Sequence, residues 1–338
     1  MNYCAQHSHL QVHGCVGDFG QNKLITQHGI TLWKSCPLQG NLVVRVWKLF
    51  RTLKQINADL YVFRSPDIGV ALGALLVRLL RRRFIYMVAN EDEAVPKKLQ
   101  SICGFWGSRA MSWLYGSADF LVTQTQQQAD GFLKFRHRPV SAVIPNMFWK
   151  ETKNLLPLVL PPFLEKGYSL WVGRCDRIKR CEIFLDLVER NPQRPFVMIC
   201  PRTTDTTYWT EISIRAISLK NLHFLEKVPP NEIHLWYLKA NLLLMTSVSE
   251  GFSNVMMEAL YEKCPLLTLN VNPDNIIPGY NLGKTYGDAS LDLFFKAFDE
   301  LQSDPDQLKI MGEAGRQYIE QFHGIEQTGN MFIRLIST

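Results

Sequence analysis

The sequence predicts an α/β protein of two consecutive domains, each built on a Rossmann-like parallel sheet. Short β-type runs alternate with amphipathic helical patterns along the whole chain. The β-type runs are mostly apolar, which is typical of strands that helices cover on both faces. The alternation stops once, in a proline-containing stretch, and then resumes. With 338 residues, of which 46% are apolar, the chain is long enough to bury two cores.

The first domain is predicted over residues 1–150. Two amphipathic stretches in it, Leu42–Gln55 and Ser101–Tyr115, are predicted to be helices. The predicted strands, in chain order, are Gln11–Val16, Ile30–Trp33, Asp59–Phe63, Phe84–Val88, Asp119–Thr123 and Val140–Ile144.

Residues 151–167 are the predicted linker, because they lack periodicity and contain three prolines. The second domain is predicted over residues 168–338 and ends in one long helical pattern, Asp306–Ser337. Its predicted strands are Ser169–Val172, Phe196–Ile199, His223–Leu225, Leu242–Thr246 and Leu266–Leu269.

The net charge of +6 is divided unevenly between the two halves. Residues 1–150 hold 18 Lys and Arg against 8 Asp and Glu, whereas residues 151–338 hold 19 against 23. The halves therefore carry +10 and −4. The basic half suits an anionic membrane surface or a nucleic acid. No RNP motif or zinc finger accompanies it, which argues against a nucleic-acid partner.

Several features favour a cytoplasmic protein, at most peripheral at the inner face of a membrane. The apolar run Val70–Leu80 contains Arg78 and is far shorter than the roughly 20 residues of a membrane span. Met1–Leu10 is polar and lacks the apolar core of a signal peptide. The eight cysteines are scattered, none of them in C-x-x-C, and we interpret them as free core thiols in a reducing compartment.

The most informative stretch is residues 246–259, directly after an apolar strand. Gly251 allows a tight turn, and Ser253 and Asn254 are good N-cap residues for the helix that follows. This order places backbone N–H groups at the positive end of a helix dipole, an arrangement that suits a diphosphate.

Two carboxylates flank this turn. Glu250 lies in the turn and Glu258 eight residues later, a rise of about 12 Å in a helix. Glycosidase carboxyl pairs lie only about 5–9.5 Å apart. We therefore interpret the two glutamates as contacting different parts of one elongated ligand. The alternative is a capping turn followed by a glutamate on a helix face, and the pattern alone supports both equally.

A second stretch, beginning at Gly173, also leaves a strand and enters a helix. Arg174 and Lys179 are predicted to lie at the carboxyl edge of the sheet, where open α/β sheets bind ligands. The arginine fork and the lysine point charge suit two phosphates. Considered alone, the pattern also fits solvated basic residues in a loop.

Together the two stretches resemble the family 4 glycosyltransferases, whose signature combines Gly-Arg-x4-Lys with Glu-x7-Glu. These motifs stand here as Gly173-Arg174…Lys179 and Glu250…Glu258. The resemblance covers residues 10–335 and implies the GT-B fold. Two further segments are similar to the family, namely Ile144-Pro145-Asn146 at the end of the first domain and Asp304-Pro-Asp-Gln-Leu before the last helical pattern.

The resemblance also implies roles for these residues. Arg174 and Lys179 would bind the donor diphosphate. Glu258 would hold the ribose hydroxyls, and Glu250 would contact the transferred sugar. The remaining substrate-binding residues implied in these stretches are Gly173, Gly251, Phe252, Ser253 and Asn254.

Two departures from the family pattern stand out. Many members carry a histidine after the fourth strand of the first domain, and Asn90 is the plausible stand-in here. The family's opening strand and Gly-rich loop are also not recognisable. Met1–His7 is interpreted as the end of the first helix, and Leu10–Asp18 as the second strand. A natural truncation, a fragment of a split enzyme and a misplaced start remain open.

Two acidic patterns are not interpreted as metal sites. Asp304-x-Asp306 is similar to a D-x-D metal motif, but it opens a helix, where acidic residues serve as caps. Glu91-Asp92-Glu93 is expected either to line the cleft or to form a solvated turn. No metal or cofactor is expected, since cationic side chains and helix dipoles supply the charge that a diphosphate needs.

The function that the resemblance implies is a retaining, metal-independent transfer of a hexose from a nucleotide-diphosphate sugar to a glycan or lipid-linked acceptor, as in surface polysaccharide synthesis. One alternative is a truncated, non-catalytic protein or partner subunit that binds nucleotide-sugar. Another is a GT-B sugar epimerase, although its catalytic acids are not recognisable. The basic face of Leu42–Gln55 and Val70–Arg83 is expected to contact anionic lipid, or else to be solvated.

Overall fold

The computed structural model of the chain describes residues 2–6, 10–37, 39–149, 159–287 and 290–337. These residues form two compact units. The first holds the described residues of Met1–Pro145 and of Ile325–Thr338, and the second comprises Asn146–Gly324.

The first unit contains two sheets. Parallel pairing gives the order β4-β5-β6-β7 in one of them, and the other has the order β1-β3-β2. The strands are β1 (Val12–Asp18), β2 (Leu24–Gln27), β3 (Ile30–Pro37), β4 (Leu60–Arg64), β5 (Arg83–Met87), β6 (Phe120–Thr123) and β7 (Ala142–Val143). The helices are α1 (Asn2–Ala5), α2 (Leu42–Ile56), α3 (Ile68–Leu79), α4 (Pro96–Ser117) and α5 (Gln126–Arg136). All six predicted strands of this half are therefore present.

The smaller sheet differs from the expected parallel arrangement. β1 and β3 are parallel, but β2 runs antiparallel to β3 in a hairpin that the sequence did not predict. The hairpin turns at His28 and Gly29, whose φ angles are 52° and 76°. Two successive left-handed residues match the twist of a two-residue hairpin. β2 has only four residues, of which three are exposed and one is half-buried, so it lacks the buried apolar face that makes a strand recognisable in a sequence.

The second unit is built on one fully parallel sheet, ordered β10-β9-β8-β11-β12-β13. Its strands are β8 (Tyr168–Val172), β9 (Phe196–Ile199), β10 (Leu222–Leu225), β11 (Ala240–Met245), β12 (Leu266–Thr268) and β13 (Gly283–Thr285). Its helices are α6 (Cys181–Arg190), α7 (Thr206–Ser218), α8 (Ile233–Lys239), α9 (Asn254–Tyr261), α10 (Ile276–Gly279), α11 (Leu291–Gln302) and α12 (Pro305–Phe322). Apolar clusters form on both faces of the sheet, as the five predicted apolar strands require.

The long helical pattern at the end of the chain is two helices. α12 ends at Phe322, and α13 (Ile325–Ile336) begins after His323 and Gly324. Phe332, Leu335 and Ile336 of α13 pack against a small cluster of the first unit. The structure thus groups this helix with the first unit, whereas the sequence placed it in the second domain.

The predicted linker is described only in part, since residues 150–158 lie outside the described residues. The remainder belongs to the second unit. There, Pro162–Leu164 forms a 3-10 turn whose Leu164 is fully buried. Gly167 adopts φ 97°, a left-handed value that leads the chain into β8.

A buried carboxylate organises the turn after β5. Glu93 is fully buried, and its carboxylate accepts hydrogen bonds from the hydroxyls of Tyr86 (2.6 Å) and Tyr115 (3.1 Å). It also accepts from the backbone N–H groups of Ala89 (2.8 Å) and Asn90 (2.9 Å). Burial raises the pKa of Glu93, and these hydrogen bonds act in the opposite direction. The acidic segment is therefore not the solvated turn considered above, since its last residue anchors the loop to the core.

Glu93→Ala is expected to lower the free energy of unfolding by more than about 3 kcal/mol, because several buried donors lose their acceptor at about 1–3 kcal/mol each. Glu93→Gln keeps the shape and should cost less. The exposed Asp130→Ala in the same unit is the control, with a change below about 0.5 kcal/mol. Urea unfolding measures all three, and equal small losses for Glu93→Ala and Asp130→Ala would contradict the anchoring role.

Candidate functional site

Two loops of the second unit meet at one edge of its sheet. β8 and β11 are neighbouring parallel strands, so the loops that follow them, residues 173–180 and 246–253, leave the sheet at the same carboxyl edge. The backbone N–H of Val248 donates to the carbonyl of Ile178 (2.9 Å), and the Thr246 hydroxyl donates to the carbonyl of Lys179 (2.6 Å). The two motifs found in the sequence are thus joined directly.

An ion pair connects a predicted residue of each loop. Lys179 Nζ lies 2.7 Å from Glu250 Oε1, and the two side chains are only 19% and 12% exposed. The Ser247 hydroxyl donates to the same carboxylate oxygen. Because water reaches this pair only in part, its electrostatic interaction is screened less than that of a surface pair. The lysine charge is therefore held at the sheet edge, with the turn carboxylate as its partner.

Arg180 holds the two loops together, a role that was not predicted from the sequence. Its guanidinium donates from Nε to the carbonyl of Thr246 (2.6 Å) and from Nη2 to the carbonyl of Ser247 (3.2 Å). Nη2 also donates to Asn270 Oδ1 (3.1 Å), in the loop after β12. Its backbone is left-handed, with φ 48°, between a short 3-10 turn and α6. The adjacent basic pair Lys179-Arg180 was the available signal, but it does not reveal which of the two is structural.

Arg174 lies apart from this ion pair and points outward. Its guanidinium is 3.0 Å from Asp176 Oδ2, and its side chain is 74% exposed. Gly173, just before it, packs on a tryptophan: a Cβ there would lie 3.0 Å from the Trp171 ring. A larger residue at position 173 would push the loop away from the strand. The phosphate-binding roles of Arg174 and Lys179 stay predictions.

The turn and helix after β11 have the predicted order. Ser253 is the N-cap of α9 and accepts from the N–H of Met256 (3.4 Å), whereas Asn254 is the first helical residue and is exposed. Gly251 is buried, and the Phe252 side chain is only 3% exposed. Any ligand contact from Phe252 would therefore come from its backbone.

Glu258 lies half-buried on α9. Burial raises its pKa, and the hydroxyl of the buried Tyr237 beside it acts in the opposite direction. A glutamate on a plain solvated helix face would not be desolvated in this way. A polar ligand could supply hydrogen bonds that this partly desolvated carboxylate lacks. The ribose-binding role of Glu258 stays a prediction.

Two predicted acidic or polar positions act as helix caps. The Asp304 carboxylate accepts from the N–H of Gln307 (2.9 Å) at the start of α12, so the capping interpretation of this segment is confirmed. The Asn90 side chain accepts from the N–H of Asp92 (2.9 Å) and caps a 3-10 turn in the first unit. Substrate binding by Asn90 stays a prediction.

The buried His323 packs against the turn that carries Glu250. The rings of His323 and Phe252 are stacked at a tilt, with their centroids 4.4 Å apart. His323 Nδ1 lies 2.7 Å from the carbonyl oxygen of Asn146, which can only accept, so this nitrogen carries the proton. The side-chain amide of Asn146 in turn donates to the carbonyl of Phe252 (2.7 Å). The asparagine of the I-P-N segment therefore holds the turn that carries Glu250.

Comparisons with known proteins find a family match within the second unit. Residues 166–288 match the family described as "Glycosyl transferases group 1". A segment of 111 residues is 31% identical to D-inositol 3-phosphate glycosyltransferase of Corynebacterium efficiens. That match covers 30% of this chain and 26% of the relative, so the chain spans about a quarter of that curated protein's length.

Solved structures match a larger share of the chain. Sucrose-phosphate synthase from Thermosynechococcus elongatus has a TM-score of 0.78 at 16% identity, over 97% of this chain and 89% of that one. An α,α-trehalose-phosphate synthase (UDP-forming) from Burkholderia vietnamiensis has a TM-score of 0.72 at 12% identity, over 96% and 93%. The chain therefore has the predicted GT-B fold, and residues 166–288 are similar to the glycosyl transferases group 1 family.

His323 gives the second unit a pH-dependent stability. Burial lowers its pKa to about 4, although the hydrogen bond with Asn146 acts in the opposite direction. The unfolded chain binds this proton near pH 6.5, so the stabilisation is complete above that pH and is lost as the pH falls towards 4. The loss amounts to about 3 kcal/mol at 1.36 kcal/mol per pKa unit.

His323→Gln can keep a donor to Asn146 but has no titrating ring. When the pH is lowered from about 7.5 to about 4.5, the free energy of unfolding of the wild-type chain, measured with urea, should fall by about 2–3 kcal/mol more than that of the variant. Other groups titrate in both chains and cancel in this difference. Identical pH dependence of the two chains would show that His323 is not held neutral in the folded state.

Proposed function

We propose that this chain is a retaining, metal-independent glycosyltransferase that moves a hexose from a nucleotide-diphosphate sugar to a glycan or lipid-linked acceptor. The observation that supports it best is the Lys179–Glu250 pair, which joins the two strand-end loops beside the start of α9. The matched family and the UDP-forming relative agree with such a donor.

The donor diphosphate binds over these two loops. Lys179 exchanges its partner Glu250 for a phosphate oxygen, and the exposed Arg174 swings from Asp176 to supply a second cation. Backbone N–H groups of residues 251–253 lie at the positive end of the α9 dipole, which also favours the anion. These groups offset the charge that develops on the departing diphosphate, so no metal ion is needed for that task.

The nucleoside end of the donor lies towards Glu258. Its carboxylate accepts hydrogen bonds from the ribose hydroxyls, which replace the water that burial has removed. Charge-assisted hydrogen bonds of this kind contribute more than neutral ones. The donor base is not specified by these contacts, because none of the groups named here recognises a base edge.

The transferred sugar lies at the Glu250 turn. The bond between the anomeric carbon and the diphosphate breaks as the acceptor oxygen forms its bond on the same face of the ring, so that configuration is retained. The acceptor proton passes to an oxygen of the leaving diphosphate. The chain itself positions the reactants and stabilises charge, and none of its side chains serves as nucleophile.

A donor screen tests the activity. The chain is incubated with nucleotide-sugars of several bases, and nucleoside diphosphate release is followed with and without a simple hexoside acceptor. Acceptor-dependent release supports transfer. Binding with no release in any combination would instead support the non-catalytic alternative, and release of an epimerised sugar would support the epimerase.

Arg174→Ala and Lys179→Ala are each expected to weaken nucleoside diphosphate binding by about 1.5–3 kcal/mol, the range for charge-assisted hydrogen bonds. Nucleoside binding should hardly change, because it lacks the phosphates. Isothermal titration calorimetry compares the two ligands. Arg190→Ala, a basic residue at the end of α6, is the control. Equal losses for nucleoside and diphosphate would contradict the assignment.

The first unit has a surface suited to peripheral membrane contact, which we include in the proposal. Within the described residues, no helix combines the length and the apolar character needed to cross a bilayer. At the start of α2, however, Val43 is 75% exposed and Trp47 55% exposed. Lys48 and Arg51 are exposed beside them, and the Arg51 guanidinium lies 5.4 Å from the Trp47 ring. Apolar and basic side chains on one helix face are typical of interfacial helices.

Flotation with liposomes tests this surface. The wild-type chain should float with anionic vesicles and be released by salt, since each basic residue near such a surface contributes about 1 kcal/mol. Trp47→Ser and Arg51→Glu should each reduce flotation several-fold. Ile217→Ser removes an apolar residue of α7 that is even more exposed than Trp47, and it should change nothing. Flotation that ignores lipid charge, salt and these variants would remove the membrane contact.

A further inference from the structure

Three cysteines form a buried cluster beneath the basic loop. Their sulfur atoms all lie within 4.8 Å of one another, and Cys175, Cys181 and Cys200 are each fully buried. Among the described residues, no other group of cysteine, histidine and acidic side chains has this arrangement. Cysteines that only fill a core need not lie close to one another, whereas each of these three sulfur atoms lies near both others.

The topology of the sheet brings them together. Cys175 follows β8, Cys200 follows the neighbouring parallel strand β9, and Cys181 is the first residue of α6. The backbone N–H of Cys175 donates to the carbonyl of Pro201 (3.3 Å), and the Thr203 hydroxyl donates to the carbonyl of Cys175 (3.0 Å). The spacings of 6 and 19 residues match no familiar metal motif, so the sequence alone predicted only free thiols.

From this cluster we infer a binding site for a soft d10 cation, Zn²⁺ or Cu⁺, held by the sulfurs of Cys175, Cys181 and Cys200. A metal–sulfur distance of about 2.3 Å separates three ligand sulfurs by about 4 Å, so the cluster needs to contract only slightly. Thiolates are the ligands that these ions prefer.

The Tyr208 hydroxyl borders the cluster but already has partners. It accepts from the backbone N–H of Cys181 (3.0 Å) and donates to Glu182. The protein therefore supplies three sulfur ligands. Each cysteine must lose its thiol proton to bind the cation, so cation binding releases protons.

Such an ion acts as a structural clamp. Cys175 and Cys181 lie at the two ends of the segment that contains Lys179, and Cys200 directly follows the neighbouring strand β9. One cation would tie both ends of this basic loop to the sheet. Arg174, next to Cys175 in the sequence, has an exposed side chain, so the loop that the ion would hold lies at the surface of the unit.

The test uses the full chain, reduced and freed of metal with a chelator. Titration with Cd²⁺, an ultraviolet-active substitute for Zn²⁺, should produce a sulfur-to-metal charge-transfer band that saturates at one equivalent. An anaerobic Cu⁺ titration identifies which of the two ions binds more tightly. Zn²⁺ or Cu⁺ should also raise the melting temperature, because a ligand that binds only the folded state stabilises it.

Cys200→Ser should lose both the saturating band and the thermal shift. Cys264→Ser is the matched control, since Cys264 is an equally buried cysteine of the same unit outside the cluster. If Cys200→Ser does not fold, X-ray absorption on the Zn²⁺-loaded wild-type chain decides: three sulfur neighbours at about 2.3 Å support the site. A shell of nitrogen and oxygen atoms, no saturable band in the wild-type chain, or a band that Cys200→Ser retains would each overturn it.

Discussion

Parallel pairing of β8 with β11 brings two loops to one edge of the second unit's sheet, and the Arg180 guanidinium holds them together there. Its contacts with the carbonyls of Thr246 and Ser247 are charge-assisted, and the fork geometry of arginine allows both at once. A third contact with Asn270 extends the same side chain to the loop after β12. Arg180 therefore sets the positions of Lys179 and Glu250 through its hydrogen bonds with backbone carbonyls.

The Lys179–Glu250 ion pair stabilises the lysine charge at the sheet edge while leaving it able to change partners. Two partly buried charges left apart would each lose hydration, so each stabilises the other in the absence of ligand. In the proposed function a diphosphate, which carries more negative charge than one carboxylate, replaces Glu250 as the partner of Lys179. His323 and Asn146 keep the Glu250 turn in place from the core side, through the ring and the carbonyl of Phe252. The turn is thus supported independently of its ion pair.

Sequence reasoning reached the strand positions and the two motifs, because apolar runs and glycine turns are local signals. It also identified the Asp304 cap and a start for α9, which depend on residues only a few positions apart. It missed β2, whose four residues form a strand only through pairing with β3. The end of α12 at Phe322 was likewise missed, since a helical pattern resumes two residues later in α13.

The side-chain pairings of the site are set by strand order, which a single sequence does not display. Three contacts join residues that follow different strands. They are the hydrogen bonds of Arg180, the Lys179–Glu250 ion pair and the three-cysteine cluster. Cys175 and Cys200 have no local pattern in common, yet neighbouring strands place them together. The pKa shift of Glu258 was equally out of reach, because it depends on burial in the folded unit and on Tyr237 of α8, which acts against that burial.

Calorimetry on two glutamate variants tests the central claim, that a diphosphate replaces Glu250 as the partner of Lys179. The ligand is the nucleoside diphosphate that binds the wild-type chain most tightly. Glu250→Gln should bind it as tightly as the wild type or more so, because Lys179 is no longer neutralised. Glu258→Gln should weaken binding by about 1.5–3 kcal/mol, since charge-assisted bonds to the ribose are lost. Loss of binding in Glu250→Gln with unchanged binding in Glu258→Gln would contradict the placement of the donor.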